Sequence, residues 1–128
     1  AVQAINLLDN VRLVELKGYS RQQVALLMNA VDAVLMTSFT EGSPQFIKEA
    51  MVCNCPVVSV DVGDVKDVIG DTRGCFVASY EPEDITSKLK QTLSLGKRTK
   101  GRERILELGL DSETVAKKIK DIYNAILK

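Results

Sequence analysis

Two glutamates, Glu41 and Glu49, stand at the ends of the stretch EGSPQFIKE, with seven residues between them. Carboxylates so placed can move protons or accept hydrogen bonds from hydroxyls, and the intervening residues bear on which. Gly42 supplies a flexible point, Ser43 a helix cap and Pro44 a first helical residue that has no N–H to lose. The helix then starts at Ser43 or Pro44 and presents free N–H groups, which with its dipole make a phosphate-sized anion site. Gly42 lets a ligand approach that backbone closely. Phe46, Ile47, Ala50 and Met51 form the apolar face, leaving Gln45, Lys48 and Glu49 outside it. Glu49 falls roughly 8 Å beyond Pro44 along the axis. A diphosphate at the helix start would have a carboxylate on each side, and carboxylates pair well with sugar diols. The residues therefore suit a ligand with sugars at both ends, against the plainer reading of two solvated surface charges.

Other chemistries are closed off. The chain has no histidine, so neither Ser-His-Asp nor Cys-His catalysis can be assembled within it. Acid–base work would fall to carboxylates, Lys, Tyr or Cys. The three cysteines, Cys53, Cys55 and Cys75, have no disulfide-framework spacing and too few companions for a zinc site. All three read as small buried hydrophobes in a reducing compartment.

Length and composition set the frame. The 128 residues fit one domain spanning 1–128, and 45% hydrophobic with 27% charged residues is ordinary for a soluble globular chain. Seventeen basic residues balance seventeen acidic ones, so no net field draws the chain to nucleic acid or anionic lipid. No apolar run approaches a membrane span and the opening AVQAINLLDN has no signal-peptide layout, which reads as soluble and cytoplasmic.

Around these residues, short apolar runs alternate with helical ones. VRLVEL (11–16) reads as a strand, after which Ser20 caps a helix carrying Val24, Leu27, Met28 and Val31. AVLMTS (33–38) reads as a strand covered on both faces, followed by the glutamate-bearing loop and a helix to about Val52. PVVSVDV (56–62) is the third strand, then VKDVI a short helix between Asp64 as N-cap and Gly70 as stop. GCFVAS (74–79) is the fourth strand, and Pro82 opens a helix with Ile85, Leu89 and Leu93 that Gly96 ends. KRTKGRER reads as a solvated helix face rather than a nucleic-acid patch. Asp111 caps a last helix whose Val115, Ile119, Ile122 and Ile126 make one apolar stripe, with Leu110 and Val115 placed as a hydrophobic staple.

Such alternation implies an α/β fold, a Rossmann-like parallel sheet of about four strands flanked by helices. Ligands in these sheets lie beyond the C-terminal strand ends. Three polar loops are expected there: Gly18-Tyr19-Ser20, Thr37 to Pro44, and Asp61 to Asp64.

The succession DAVLMTS, TEGSPQFIKEAM, CNCPVV and DVGDV, preceded by LKGYSRQQVALLMNAV, strongly resembles the nucleotide-sugar half of retaining GT-B glycosyltransferases of the large family four. The resemblance covers nearly the whole chain. It implies that Glu41, the candidate catalytic residue, contacts donor-sugar hydroxyls, orienting the donor rather than attacking it. It implies that Gly42 and Ser43, with Pro44 behind them, meet sugar and phosphate through the backbone, and that Glu49 holds the ribose diol. Tyr19 and Ser20 match positions that contact the base. Asp64 departs from a loop that usually ends in two glycines, so no ligand role passes to it.

The resemblance further implies transfer of a sugar, in the manner of a hexosyltransferase, from a nucleotide-diphosphate sugar such as a UDP-sugar to a hydroxyl acceptor with retention. No metal and no cofactor are implied. The acceptor would be a sugar or lipid-linked molecule of polysaccharide or glycolipid synthesis, met at the inner membrane face through an acceptor domain. That domain, two further strands and the basic residues that neutralise the diphosphate would lie outside this chain. VRLVEL would then lack its strand neighbours, and self-association through an open edge and little catalysis by the 128 residues alone are expected. The competing readings are a non-catalytic nucleotide-binding or interaction module and a GT-B nucleotide-sugar epimerase.

Overall fold

Val57, Val58, Ser59 and Val60 are all fully buried, and the fold is built around that run. A strand apolar on both faces must be covered on both, and here it is. The computed structural model describes residues 1–127. In chain order the elements are α1 (Val2–Asn6), α2 (Arg21–Ala30), β1 (Val34–Met36), α3 (Gln45–Val52), β2 (Val57–Val60), α4 (Val65–Ile69), β3 (Phe76–Ala78), α5 (Pro82–Leu95), α6 (Gly101–Glu107) and α7 (Ser112–Leu127).

The strands form one parallel sheet in the order β1-β2-β3, with Val34 opposite Val57 and Val58 opposite Phe76. Alternation along β1 and β2 sends neighbouring side chains to opposite faces. Val34, Met36 and Val57 join Met28, Ile47, Met51, Val65, Ile69 and Ile105 in the larger core. Val58 and Leu35 face Ala4, Ala78, Ile85 and Leu89 in the smaller one, under α1 and α5. Thr86 ties those two helices by donating from its hydroxyl to the Ala4 carbonyl at 3.1 Å.

The expected sheet is therefore present with three strands rather than four. VRLVEL is irregular, and Leu13 and Leu16 remain exposed. Its β-branched and apolar residues fit a pleated surface, but no neighbouring strand offers a ladder, and strand propensity acts only through such pairing.

The basic run is exposed at Lys97, Arg98, Lys100 and Arg102, as expected, but its arginines are also bonded to backbone. Arg98 donates to the carbonyls of Val31 (2.9 Å), Met28 (2.6 Å) and Cys53 (3.0 Å). Arg102 Nε donates to the Val52 carbonyl at 2.8 Å, and Arg104 to those of Val68 (3.2 Å) and Asp67 (2.8 Å). These oxygens belong to the last turns of α2, α3 and α4, where carbonyls lack helical partners and the dipole is negative. Three guanidinium groups thus gather three helix C-termini at the base of the sheet. Gly101 allows α6 to press on α3, since a Cβ there would lie 2.6 Å from the Met51 carbonyl oxygen. Asn54, with φ of 55°, ends α3 in the left-handed region and accepts from Thr99 N and Arg102 N.

Pro82 at the start of α5, Gly96 at its end, and Asp111 Oδ2 accepting from Thr114 N at 3.0 Å all stand as the residue types require. α7 has its apolar stripe, but Ile119, Ile122 and Ile126 face solvent and the helix buries none of its residues. No described helix is long and apolar enough to cross a membrane.

Candidate functional site at the C-terminal strand ends

Because the three strands are parallel, the loops Thr37–Pro44, Asp61–Asp64 and Ser79–Glu81 all leave the same edge of the sheet. The first two are joined at Gly63. This residue has φ of +57°, and a Cβ on it would fall 2.1 Å from the Gly42 carbonyl oxygen and 2.6 Å from that of Glu41. Only glycine permits that approach. Asp64 completes the junction: its N–H donates to Gly42 O at 3.1 Å, and its Oδ2 accepts from the Ser43 hydroxyl at 2.6 Å. Asp64 Oδ1 is buried and has no hydrogen-bond partner among the described residues.

Ser43 is consequently not the cap of α3. Pro44 occupies the N-cap position in extended conformation, the helix begins at Gln45, and no side chain caps it. The Ser43 hydroxyl is turned to Asp64 and accepts from the Lys48 ammonium one turn into the helix. The first N–H groups of α3 are left for solvent or a ligand, as an anion site requires. Asp64 does precede α4, but its carboxylate makes no capping bond, since it serves Ser43 instead.

Above Gly42 a Cβ would meet nothing within 4 Å. The protein therefore has no packing reason for glycine there, and open space lies over the backbone of the loop. Glu41 is exposed in the loop before α3, and Glu49 is half-buried in the second turn of that helix. The structure thus brings together Gly42, Ser43, Lys48 and Asp64, with Pro44 next in the chain, while among the described residues no side-chain hydrogen bond joins Glu41 or Glu49 to them.

Tyr19 and Ser20 stand apart. Ser20 caps α2 in a reciprocal pair with Gln23, its hydroxyl accepting from Gln23 N at 3.2 Å while its own N–H donates to Gln23 Oε1 at 2.9 Å. Among the described residues no hydrogen bond joins Tyr19 or Ser20 to the Glu41–Pro44 loop. Lys48 and Asp64 are the residues that sequence reasoning passed over. Lys48 carries one signal in the sequence: it lies four residues beyond Pro44, one turn into a helix whose start the residue types suit to an anion.

Cys55 and Cys75 are buried, and Cys53 is partly exposed. Burial pushes the Cys75 thiol up to about 11 and raises that of Cys55 as well. Both are neutral packing groups, distant in role from the loop edge. A cleft of ≈ 470 Å³ lies at the opposite end, between Gly70–Gly74 and Lys97–Arg104. Its Arg98 and Arg104 are spent on helix carbonyls.

Comparison with known proteins bears on this edge. Residues 2–94 match the family model described as glycosyl transferases group 1. The chain is also 33% identical, over 69 residues, to a D-inositol 3-phosphate glycosyltransferase of Paenarthrobacter aurescens (strain TC1). That match takes in 53% of this chain and 17% of the relative's length. No solved structure matches. With most of its length, the whole sheet and the glutamate-bearing loop inside the matched span, the chain belongs to the glycosyl transferases group 1 family.

Proposed function

We propose that residues 1–128 are the donor-binding part of a GT-B glycosyltransferase, which moves a sugar from a nucleotide-diphosphate sugar to a hydroxyl acceptor with retention. The observation that carries this reading is the junction at Gly42. A loop bearing Glu41 is pinned to the sheet edge from below by Gly63 and Asp64, while the space above it is open. The uncapped start of α3 lies beside that space, with the Lys48 ammonium on Ser43. The diphosphate belongs over this helix start, where N–H dipoles and Lys48 offset the charge that grows on the leaving group. Glu41 accepts from donor-sugar hydroxyls and Glu49 from the ribose diol, as acceptor-only carboxylates can. Both orient the donor.

Tyr19 and Ser20 lie nearest the base in this reading, through backbone contacts. The sugar is a hexose, the donor a UDP-sugar, and neither metal nor cofactor takes part. The acceptor is a sugar or a lipid-linked molecule in polysaccharide or glycolipid synthesis, met by the full-length protein at the inner face of the membrane. The test is a titration of the full-length protein with a panel of nucleotide sugars. Binding of a UDP-sugar that weakens strongly in Glu49→Ala is the expected result. Failure of every nucleotide sugar to bind would leave the interaction-module reading in its place.

A further inference from the structure

Phe39 is 85% exposed, yet its ring is held in place. It lies parallel to the ring of Tyr80, with centroids 5.1 Å apart and 4° between the planes. Tyr80 is fixed in turn, because its hydroxyl donates to the Ser38 carbonyl at 2.8 Å. Phe39 leaves the end of β1 and Tyr80 the end of β3, so the pair bridges the sheet edge that carries the candidate site. Parallel rings at this separation are offset, which leaves apolar ring face open beside the stack.

We propose that the Phe39–Tyr80 pair is a stacking surface for the pyranose ring of a substrate, a reading that rests on the donor-binding function above. A pyranose presents C–H bonds on its faces and hydroxyls around its rim. An aromatic face answers the first, and a carboxylate, which only accepts, answers the second. Glu41 is two residues beyond Phe39 in the same loop, so their Cα atoms are at most about 7 Å apart. A nucleobase would also fit the ring and can donate from an N–H, but a pyranose offers a carboxylate several hydroxyl donors around its rim. The sugar can be that of the donor or that of the acceptor.

Steady-state kinetics of the full-length protein, with the nucleotide sugar selected by the panel above, separate these cases. Phe39→Ala is expected to raise one KM by about tenfold, in the range of aromatic stacking on flat ligands. Phe39→Trp is expected to stay within about twofold of the wild type, and Phe39→Leu to behave as alanine does, since it keeps apolar area without a ring face. A change in donor KM assigns the surface to the donor sugar, and a change in acceptor KM to the acceptor. Tyr80→Phe, which keeps the ring but frees Ser38, is expected to raise the same KM by a smaller factor. It stands as the second variant should Phe39→Ala not fold. Leucine equal to the wild type means that Phe39 is simply covered by another part of the protein, and overturns the proposal. Turnover with both KM values unchanged in Phe39→Ala overturns it as well. Absence of any turnover in the wild type would instead overturn the donor-binding reading, and this surface with it.

Discussion

A Cβ placed on Gly63 would sit 2.1 Å from the carbonyl oxygen of Gly42, whereas a Cβ placed on Gly42 would meet nothing within 4 Å. Two glycines in contact thus answer to different demands. Gly63 is required by the protein, which must lay one loop on another. Gly42 is not, since the space above it is open.

Alanine substitutions separate those demands. Gly42→Ala is expected to leave the melting temperature unchanged and to weaken nucleotide-sugar binding by about tenfold, the cost of pushing a ligand off a backbone contact. Gly63→Ala is expected to lower both, because the clash and the positive φ are built into the fold. Calorimetric titration alongside thermal unfolding reads the two effects. Full donor affinity in Gly42→Ala would mean that no ligand passes over this residue.

Asp64 holds the same loop with a charged group next to the place proposed for a diphosphate. Asp64→Asn keeps an oxygen that can accept from Ser43 and removes the negative charge. Donor binding at least as tight as in the wild type is expected for it. Asp64→Ala frees the Ser43 hydroxyl and should weaken binding by about tenfold, as loss of a charge-assisted hydrogen bond does. Weaker binding in the asparagine variant than in the alanine variant would contradict a purely positional role.

For the glutamates, the full-length protein should lose transfer by about 100-fold in Glu41→Ala, the penalty of a misplaced reacting group. Glu49→Ala should chiefly raise the donor dissociation constant, by about 10- to 100-fold, with less effect on turnover of bound donor. Single-turnover measurements distinguish the two. Wild-type kinetics in both variants would remove these residues from the site.

The arginine clamp predicts a purely structural phenotype. Arg98→Ala leaves three carbonyl acceptors without their donor and is expected to destabilise the fold by about 2 kcal/mol, given that part of the side chain remains hydrated. Arg98→Lys should recover only a fraction, since an ammonium cannot reproduce the planar fork that reaches two helices. Urea unfolding provides the measurement, and equal stability of alanine and wild type would show the clamp to be idle.

The thiols predict a pH dependence. The Cys75 thiol in the folded chain is pushed up from the ordinary value of 9.0 to about 11, so the folded state keeps a proton that the unfolded state has lost. Stability from this group is therefore complete below pH 9 and falls as pH rises toward 11. Cys75→Ala should show a shallower decline over that interval when the two are compared by denaturant unfolding. In the native protein, a thiol reagent followed by peptide mass analysis should mark the partly exposed Cys53 before Cys55 or Cys75. Equal labelling of all three would contradict the burial.

Local chemistry was legible in the residues wherever it depends on near neighbours. Pro82 and Gly96 bound α5, Asp111 caps α7, α3 ends at Val52, and the alternating runs gave the parallel α/β sheet. The family pattern around Glu41 and Glu49 needed no coordinates either. Where partners lie far apart in the chain, the same residues misled. VRLVEL has a strand's composition without a neighbour to pair with, and Ser43 has a cap's composition but bonds to Asp64 twenty-one residues on; KRTKGRER is exposed as it looks, yet nothing local shows that Arg98 reaches Met28 across seventy.

By itself the sequence determined which elements form and which side chains can accept a hydroxyl, because helix caps, apolar period and functional-group chemistry are properties of a few adjacent residues. Only the tertiary structure decided that Asp64 and Gly63 hold the Glu41 loop, that arginines gather the helix ends beneath it, and that Phe39 lies on Tyr80 at the same edge. Those relationships depend on how parallel strands bring distant loops together, and no spacing along one chain encodes that distance directly.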